Sequence, residues 1–287
     1  MKTYLDCYPC FLRQALDAAR YSGADDDQQR AVLLLVLDAL RSLDPASTPP
    51  EIGDVIHSIV RRETGAADPY ARAKKEATQQ AVALYPQLKA LVVEAPDPLE
   101  AAVRLAIAGN IIDLAPGSSY DLWATVERVL EQPFAVDDGP AFRQALASAD
   151  GILYLADNAG ETVFDRVLVE TLGQPVTYAV KGGPVLNDAT VGDAVAAGLD
   201  QAAEVVSTGS DAPGTVLHLC SAEFRRRYDE AQMIVAKGQA NYETLSGEGD
   251  RLFFLLQTKC PVLARDVGVS EGSIVLKQGS DSRGGGM

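Results

Sequence analysis

The chain has 287 residues, of which 47% are apolar, with 25 Lys plus Arg against 40 Asp plus Glu and a formal net charge of −15. A chain of this length buries most of the surface its unfolded form exposes, so a small fold stapled by disulfides or metal is excluded, and four Cys make no disulfide framework. The acidic balance and the lack of any basic run argue against nucleic acid and anionic membrane as partners, because both must be met with cations.

The first segment, MKTYLDCYPCFLRQ, carries Asp6 and no continuous apolar stretch, so it does not read as a secretory signal, and a reducing, cytoplasmic setting is expected. Leu12, Ala15, Leu16 and Ala19 recur at helical spacing. An acidic run at 25–27 suits the first turn of a second helix that carries the apolar residues of 31–43. Its longest apolar stretch, 31–37, ends at Asp38 and is too short to cross a bilayer. The loop DPASTPP at 44–50 is followed by Ile52, Val55, Ile56, Ile59 and Val60, again at helical spacing. Asp68-Pro69 and Asp97-Pro98 each pair a good N-cap with a residue tolerated in a first helical turn. Residues 1–145 are therefore expected to be all helical.

From 146 to 278 the pattern changes. Short apolar runs at 151–156, 175–180, 204–207, 233–236, 261–264 and 273–276 read as strands, and helical spacing at 163–172 and 193–198 separates them. This alternation predicts an α/β fold with a mostly parallel sheet and flanking helices, whose ligands bind beyond the C-terminal ends of the strands. The tail, 279–287, is low in complexity and is expected to be disordered.

The polar groups at those strand ends are the candidates for chemistry. Asp157 and Asn158 follow the first run and precede Gly160 and Glu161; they read either as an Asx turn or as two hard oxygen ligands suited to Mg²⁺ or Mn²⁺. The second run ends in Lys181-Gly182-Gly183, after which Asn187, Asp188 and Asp193 add further oxygens. Asp188 reads equally as a helix cap or a ligand, whereas capping leaves Asp193 unexplained. The loop around Gly209 has the composition that offers backbone N–H groups to phosphate, but it lacks P-loop spacing, and no GxGxxG follows a strand. Lys237 closes the fourth run beside Gly238, where it would neutralise a phosphate oxygen, while Asn241 and Glu243 would orient a hydroxyl or the metal shell. Neither His57 nor His218 falls where a Ser/His/Asp triad can be built. Carboxylates, a hard cation and Lys fit phosphoryl chemistry.

The ordered segments DNAGE, KGGPVLNDAT with Asp193, STGSDAPGT and KGQANYETL resemble those of the domain-of-unknown-function 89 family, the metal-dependent damage-control phosphatases. CYPCFLRQAL, TGAADPYARAK, AIAGNIID and KCPVLARDVGV resemble its prokaryotic, Cys-containing branch, so the resemblance spans residues 7–275. It implies a helical N-terminal region on a Rossmann-like domain, a divalent metal (Mg²⁺, Mn²⁺, Co²⁺ or Ni²⁺) on Asp157, Asn158 and Asp193, and a phosphate-binding Lys at Lys237 with Asn241 close by. The substrate it implies is a small phosphomonoester such as a sugar phosphate or a damaged phosphorylated metabolite. Asp157 or Asp193 would assist attack on phosphorus, with Asn187, Asp188 and the Gly209 loop on the remaining oxygens. Glu161 and Asn110 would orient the substrate, and Gly109 and Asp113 would reach the crevice with Asn110.

Cys7 and Cys10 form a C-x₂-C pair that reads as buried thiols, half of a second metal site or a redox pair. Two further readings stand beside the phosphatase: an S-adenosylmethionine-dependent methyltransferase, and a non-enzymatic metal- or redox-responsive binding protein.

Overall fold

The computed structural model describes residues 1–44, 46–111 and 122–281. Helices α1 (Cys7–Tyr21), α2 (Asp26–Arg41) and α3 (Pro49–Thr64) form a unit around Phe11, Ala15, Val36, Ile52 and Ile56. Local chemistry sets their ends. Asp25 accepts from Gln28 N at 2.9 Å while the Gln28 side chain accepts from Asp25 N at 3.2 Å, a closed capping box. At α3, Glu51 accepts from Thr48 N at 2.7 Å, Pro occupies the first turn and Gly65 ends the helix in the left-handed region.

Helices α4 (Ala71–Glu94), α5 (Pro98–Ile111) and α6 (Leu122–Glu131) do not belong to that unit. Their Leu88, Leu105, Ala106 and Val126 share one apolar core with Tyr154, Val163, Phe164 and Phe253 of the α/β part. The expected division at 145 also meets a strand, β1 (Phe134–Asp137), followed by α7 (Gly139–Ser148). Four residues after a Pro are too short a run to show alternation, which is why β1 is not legible in the sequence.

The remaining strands are β2 (Ile152–Leu155), β3 (Val176–Val180), β4 (Glu204–Ser207), β5 (Met233–Lys237), β6 (Leu252–Gln257) and β7 (Ile274–Gln278). They build one sheet in the order β1-β7-β6-β5-β2-β3-β4, parallel throughout except for the β6–β7 pair. The expected α/β, mostly parallel architecture is observed. One strand is reassigned: residues 261–264 are the first turn of α12 (Pro261–Val267), with Pro in that turn and Cys260 Sγ accepting from Leu263 N at 3.4 Å. The strand is instead LFFLLQ of β6, buried along nearly its whole length and therefore apolar without alternation.

Helices α8 (Thr162–Leu172) and α9 (Val191–Ala196) follow β2 and β3, and α10 (Ala222–Glu230) and α11 (Gly238–Leu245) flank β5. Their second core gathers Leu153, Phe224, Tyr242, Leu245 and Phe254. Residues 279–281 of the tail are tied to the sheet, with Gly279 N donating to Leu252 O at 2.8 Å and Asp281 bridging Glu248, while 282–287 lie outside the described residues. Among the described residues no helix is long and apolar enough to cross a membrane. Strand order reverses between β2 and β5, and in such sheets the crevice for a ligand opens at that switch.

Candidate active site

The loops after β2 and β3 are stitched together by backbone. Ala159 N donates to Asn187 O at 2.9 Å and Ala189 N to Asp157 O at 2.8 Å, and Asn158 forms an isolated bridge with Asp188. Three side chains, Asp157, Asn158 and Asp188, are thereby gathered over the β2–β5 switch, each 9% exposed or less. Two backbone features hold this geometry. Gly238, directly after β5, has a φ of 78°, and a Cβ there would overlap the Asp157 carboxylate. Leu186, next to Asn187, has a φ of 47°, a strained conformation for a branched residue and one that clusters at functional loops.

Hydrogen bonds fix the carboxylates from behind. Asn110 Nδ2 donates to Asp157 Oδ2 at 2.6 Å and to Glu161 Oε2 at 3.0 Å; Asn158 Nδ2 donates to the same two oxygens, each at 3.1 Å. Asn158 Oδ1 takes no donor among the described residues. Burial first, then the charges of Glu161 and Asp188, push the Asp157 carboxyl up to about 8, against the opposing pull of Lys259 and Lys181. Burial likewise raises Asp188, although Lys181 Nζ stands 3.5 Å away. Asp188 Oδ2 faces that ammonium as an ion pair and makes no hydrogen bond. A buried carboxylate oxygen without a hydrogen bond, beside a second carboxylate and a carboxamide, has the chemistry that suits a hard divalent cation.

The structure does not bring every candidate to this point. Asp193 accepts from Thr190 N at 2.9 Å and Thr190 Oγ1 at 2.6 Å, capping α9, and pairs with buried Lys74 at 2.8 Å. Capping thus does account for Asp193, and it does not line the cavity described below. Lys237 is also displaced from its expected role. It is fully buried, and its ammonium donates to Ala106 O at 2.8 Å, to Asp165 Oδ1 at 2.6 Å and to Glu161 Oε1. Burial works against its charge but Asp165 and Glu161 outweigh it, so the ion is kept and has no donor left for phosphate. Tyr154 and Tyr178 complete the cluster, each donating to Asp165 at 2.7 Å.

Asn241 is a structural pin: its Nδ2 donates to Ala156 O at 3.1 Å and Lys237 O at 2.8 Å, and its Oδ1 accepts from Thr215 Oγ1 at 2.7 Å. Gly209 is exposed in a separate groove with Glu204 and Arg227, and Gly209 N donates to Ser207 Oγ at 3.0 Å. Glu161 and Asn110 are buried behind Asp157 and act through it. Gly109 packs on Phe164 and Glu161, where a Cβ would not fit; Asp113 lies outside the described residues.

A cavity of about 380 Å³ opens over the donor set, walled by Phe11 and Gln14 of α1, Pro50 and Gly53 of α3, Leu186, Pro213 and Val262. The helical unit is anchored over the strand ends by Arg61, which donates to Pro184 O at 3.1 Å and to Asp211 at 2.8 Å. Asn187 lines this cavity, as do Cys7 and Cys10. Cys7 is half-buried and Cys10 exposed, so they are not the buried thiols expected; desolvation at the cavity wall raises both, which keeps them protonated rather than primed, and all four Cys are free. Among the described residues no three His, Cys, Asp or Glu side chains converge as a metal centre, at the Cys pair or elsewhere.

The residue missed in the sequence is Lys259, exposed beyond the end of β6 on the cavity wall and acting on Asp157. Had the run 252–257 been read as a strand, the rule that picks out Lys237 would have found it.

The family model for the damage-control phosphatase ARMT1-like domain matches residues 3–275. A damage-control phosphatase of Pyrococcus horikoshii is 35% identical over 283 residues, 96% of this chain and 97% of that protein. One of Archaeoglobus fulgidus is 35% identical over 231 residues, covering 77% and 80%. The crystal structure of a DUF89 family protein from Pyrococcus horikoshii matches with a TM-score of 0.90 at 34% identity, over 98% of this chain and 100% of that one.

Proposed function

The chain belongs to the damage-control phosphatase ARMT1-like domain family and is a phosphatase of it, and from that premise we propose that it hydrolyses small phosphomonoesters at the cavity above Asp157, Asn158 and Asp188. The family's phosphatases are metal-dependent. The observation that supports the assignment of the site is the buried Asp188 oxygen that makes no hydrogen bond and only a long ion pair to Lys181, beside Asp157 and Asn158. These three would hold the divalent cation, which when bound polarises a phosphate oxygen and offsets the charge of the ester. Their all-oxygen chemistry favours Mg²⁺ or Mn²⁺, with Co²⁺ and Ni²⁺ as further candidates.

The chain's own groups do the rest. Lys259 holds a second phosphate oxygen, in place of Lys237. Asn187, on the cavity wall, orients the ester. Asn110 and Glu161 keep the Asp157 carboxylate aimed at the cavity. Of the two acidic groups considered for assisting attack on phosphorus, Asp157 faces the cavity and Asp193 does not, which favours Asp157. Apolar walls at Phe11, Leu186 and Val262 exclude bulk water. The free thiols fit a reducing compartment, the cytoplasm.

The test is release of inorganic phosphate from a panel of sugar phosphates with and without each metal. Metal-stimulated turnover that falls at least about 100-fold in Asp157→Ala is expected; equal rates in metal-free enzyme, or full activity in that variant, would overturn the reading.

A further inference from the structure

The cavity holds a second polar group that the phosphate chemistry does not use. Glu243, on α11, is 6% exposed and lines the cavity. One of its oxygens, Oε1, accepts from Gln239 Nε2 at 2.6 Å. The other takes no donor among the described residues. The charges around the two buried carboxylates differ. Asp157 feels Glu161, Asp188, Lys259 and Lys181, whereas Glu243 feels Asp266 and the Met1 amino group, and is itself felt by the thiols of Cys7 and Cys10. One cavity therefore has two chemically distinct parts.

We propose that Glu243 selects the leaving group by charge, accepting a hydrogen bond from a hydroxyl or ammonium of the ester and turning away leaving groups that carry a second phosphate or a carboxylate. This rests on the phosphatase reading. Four acidic side chains line the cavity, Asp6, Asp157, Asp188 and Glu243, against one basic one, Lys259. The transferred phosphate engages Lys259, so a second anion finds no lining cation. The Met1 amino group gives an N–H to the Glu243 carbonyl oxygen at 2.6 Å and does not line the cavity, and Arg265 lies 3.4 Å from Asp6 with both side chains largely exposed. The second carboxylate oxygen is open to a hydroxyl or ammonium donor in the cavity, whereas a second anion there adds like-charge repulsion at low dielectric.

The experiment compares kcat/KM of the metal-loaded enzyme for a hexose monophosphate and for the same hexose with a second phosphate at its far end. Burial, partly offset by Gln239 and the Met1 amino group and reinforced by Asp266, pushes Glu243 up to about 7, so the assay is run near about pH 8, where the carboxylate is ionised. The wild type is expected to prefer the monophosphate by at least about tenfold, chiefly in KM. Glu243→Gln should narrow the preference to within about threefold, and Glu243→Asp, which keeps the charge, should restore most of it. Equal kcat/KM in the wild type overturns the inference and leaves the phosphatase reading standing; so does a folded Glu243→Gln that keeps the full preference. Turnover of no phosphomonoester at all overturns both.

Discussion

Gly238→Ala probes the site through a single methyl group. The residue sits at a φ of 78°, and a Cβ would lie 2.9 Å from Asp157 Oδ1 and closer still to Oδ2. Relieving that overlap requires the carboxylate to move by about 1 Å, and misplacement of reacting groups on that scale costs roughly 100-fold in rate. The left-handed backbone adds roughly 1–2 kcal/mol for Ala. For a chain of this size that lowers the melting temperature by roughly 2–8 °C, which leaves the variant folded. Phosphate release, a divalent-cation titration and a thermal melt on the same preparation separate the two effects. The expected result is a folded protein with at least about 100-fold lower activity and weakened cation binding. Activity within about threefold of wild type would refute the claim that Asp157 is the group around which the site is built.

Other consequences concern charge. Lys237→Met leaves Glu161 and Asp165 buried without their cation and should destabilise by roughly 3–5 kcal/mol, seen in the melt, whereas Lys259→Ala should raise KM about tenfold or more with little change in melting. A carboxyl whose folded pKa is raised stabilises the fold fully below its unfolded pKa and loses that contribution as pH rises through the folded value. Asp157, pushed from 3.8 to about 8, and Glu243, pushed from 4.5 to about 7, both act in this sense. The metal-free protein should therefore melt lower as pH climbs towards about 8, and Mg²⁺ or Mn²⁺ should restore more stability there than near pH 6, because proton and cation compete for Asp157. Calorimetry with and without chelator checks both parts.

The position of Asp157 and Asn158 after a buried strand is legible in the sequence because a buried run followed by Asp-Asn-Ala-Gly is a local pattern. The choice between Asp188 and Asp193 was not local. It depends on backbone bonds between the β2 and β3 loops and on Lys74, which comes from α4 to claim Asp193. Lys237 misled for a related reason: its position after β5 is legible, but not its burial against Glu161 and Asp165 one helix away. Lys259 was hidden by the misreading of 261–264, since Pro in a first helical turn and a short strand both present a brief apolar run. The cavity wall was not legible at all, because Phe11, Gln14 and Gly53 meet it only when the helical unit docks through Arg61.

The proposed cation site is built from Asp157, Asn158 and Asp188, without Asp193. Titrating Mn²⁺ into Asp188→Ala and Asp193→Ala by calorimetry, with phosphate release followed on the same samples, tests it most directly. Asp188→Ala is expected to lose cation binding and turnover together, while Asp193→Ala binds the cation with wild-type stoichiometry and melts lower through the loss of its α9 cap and Lys74 partner. Loss of binding in Asp193→Ala with retention in Asp188→Ala would contradict it.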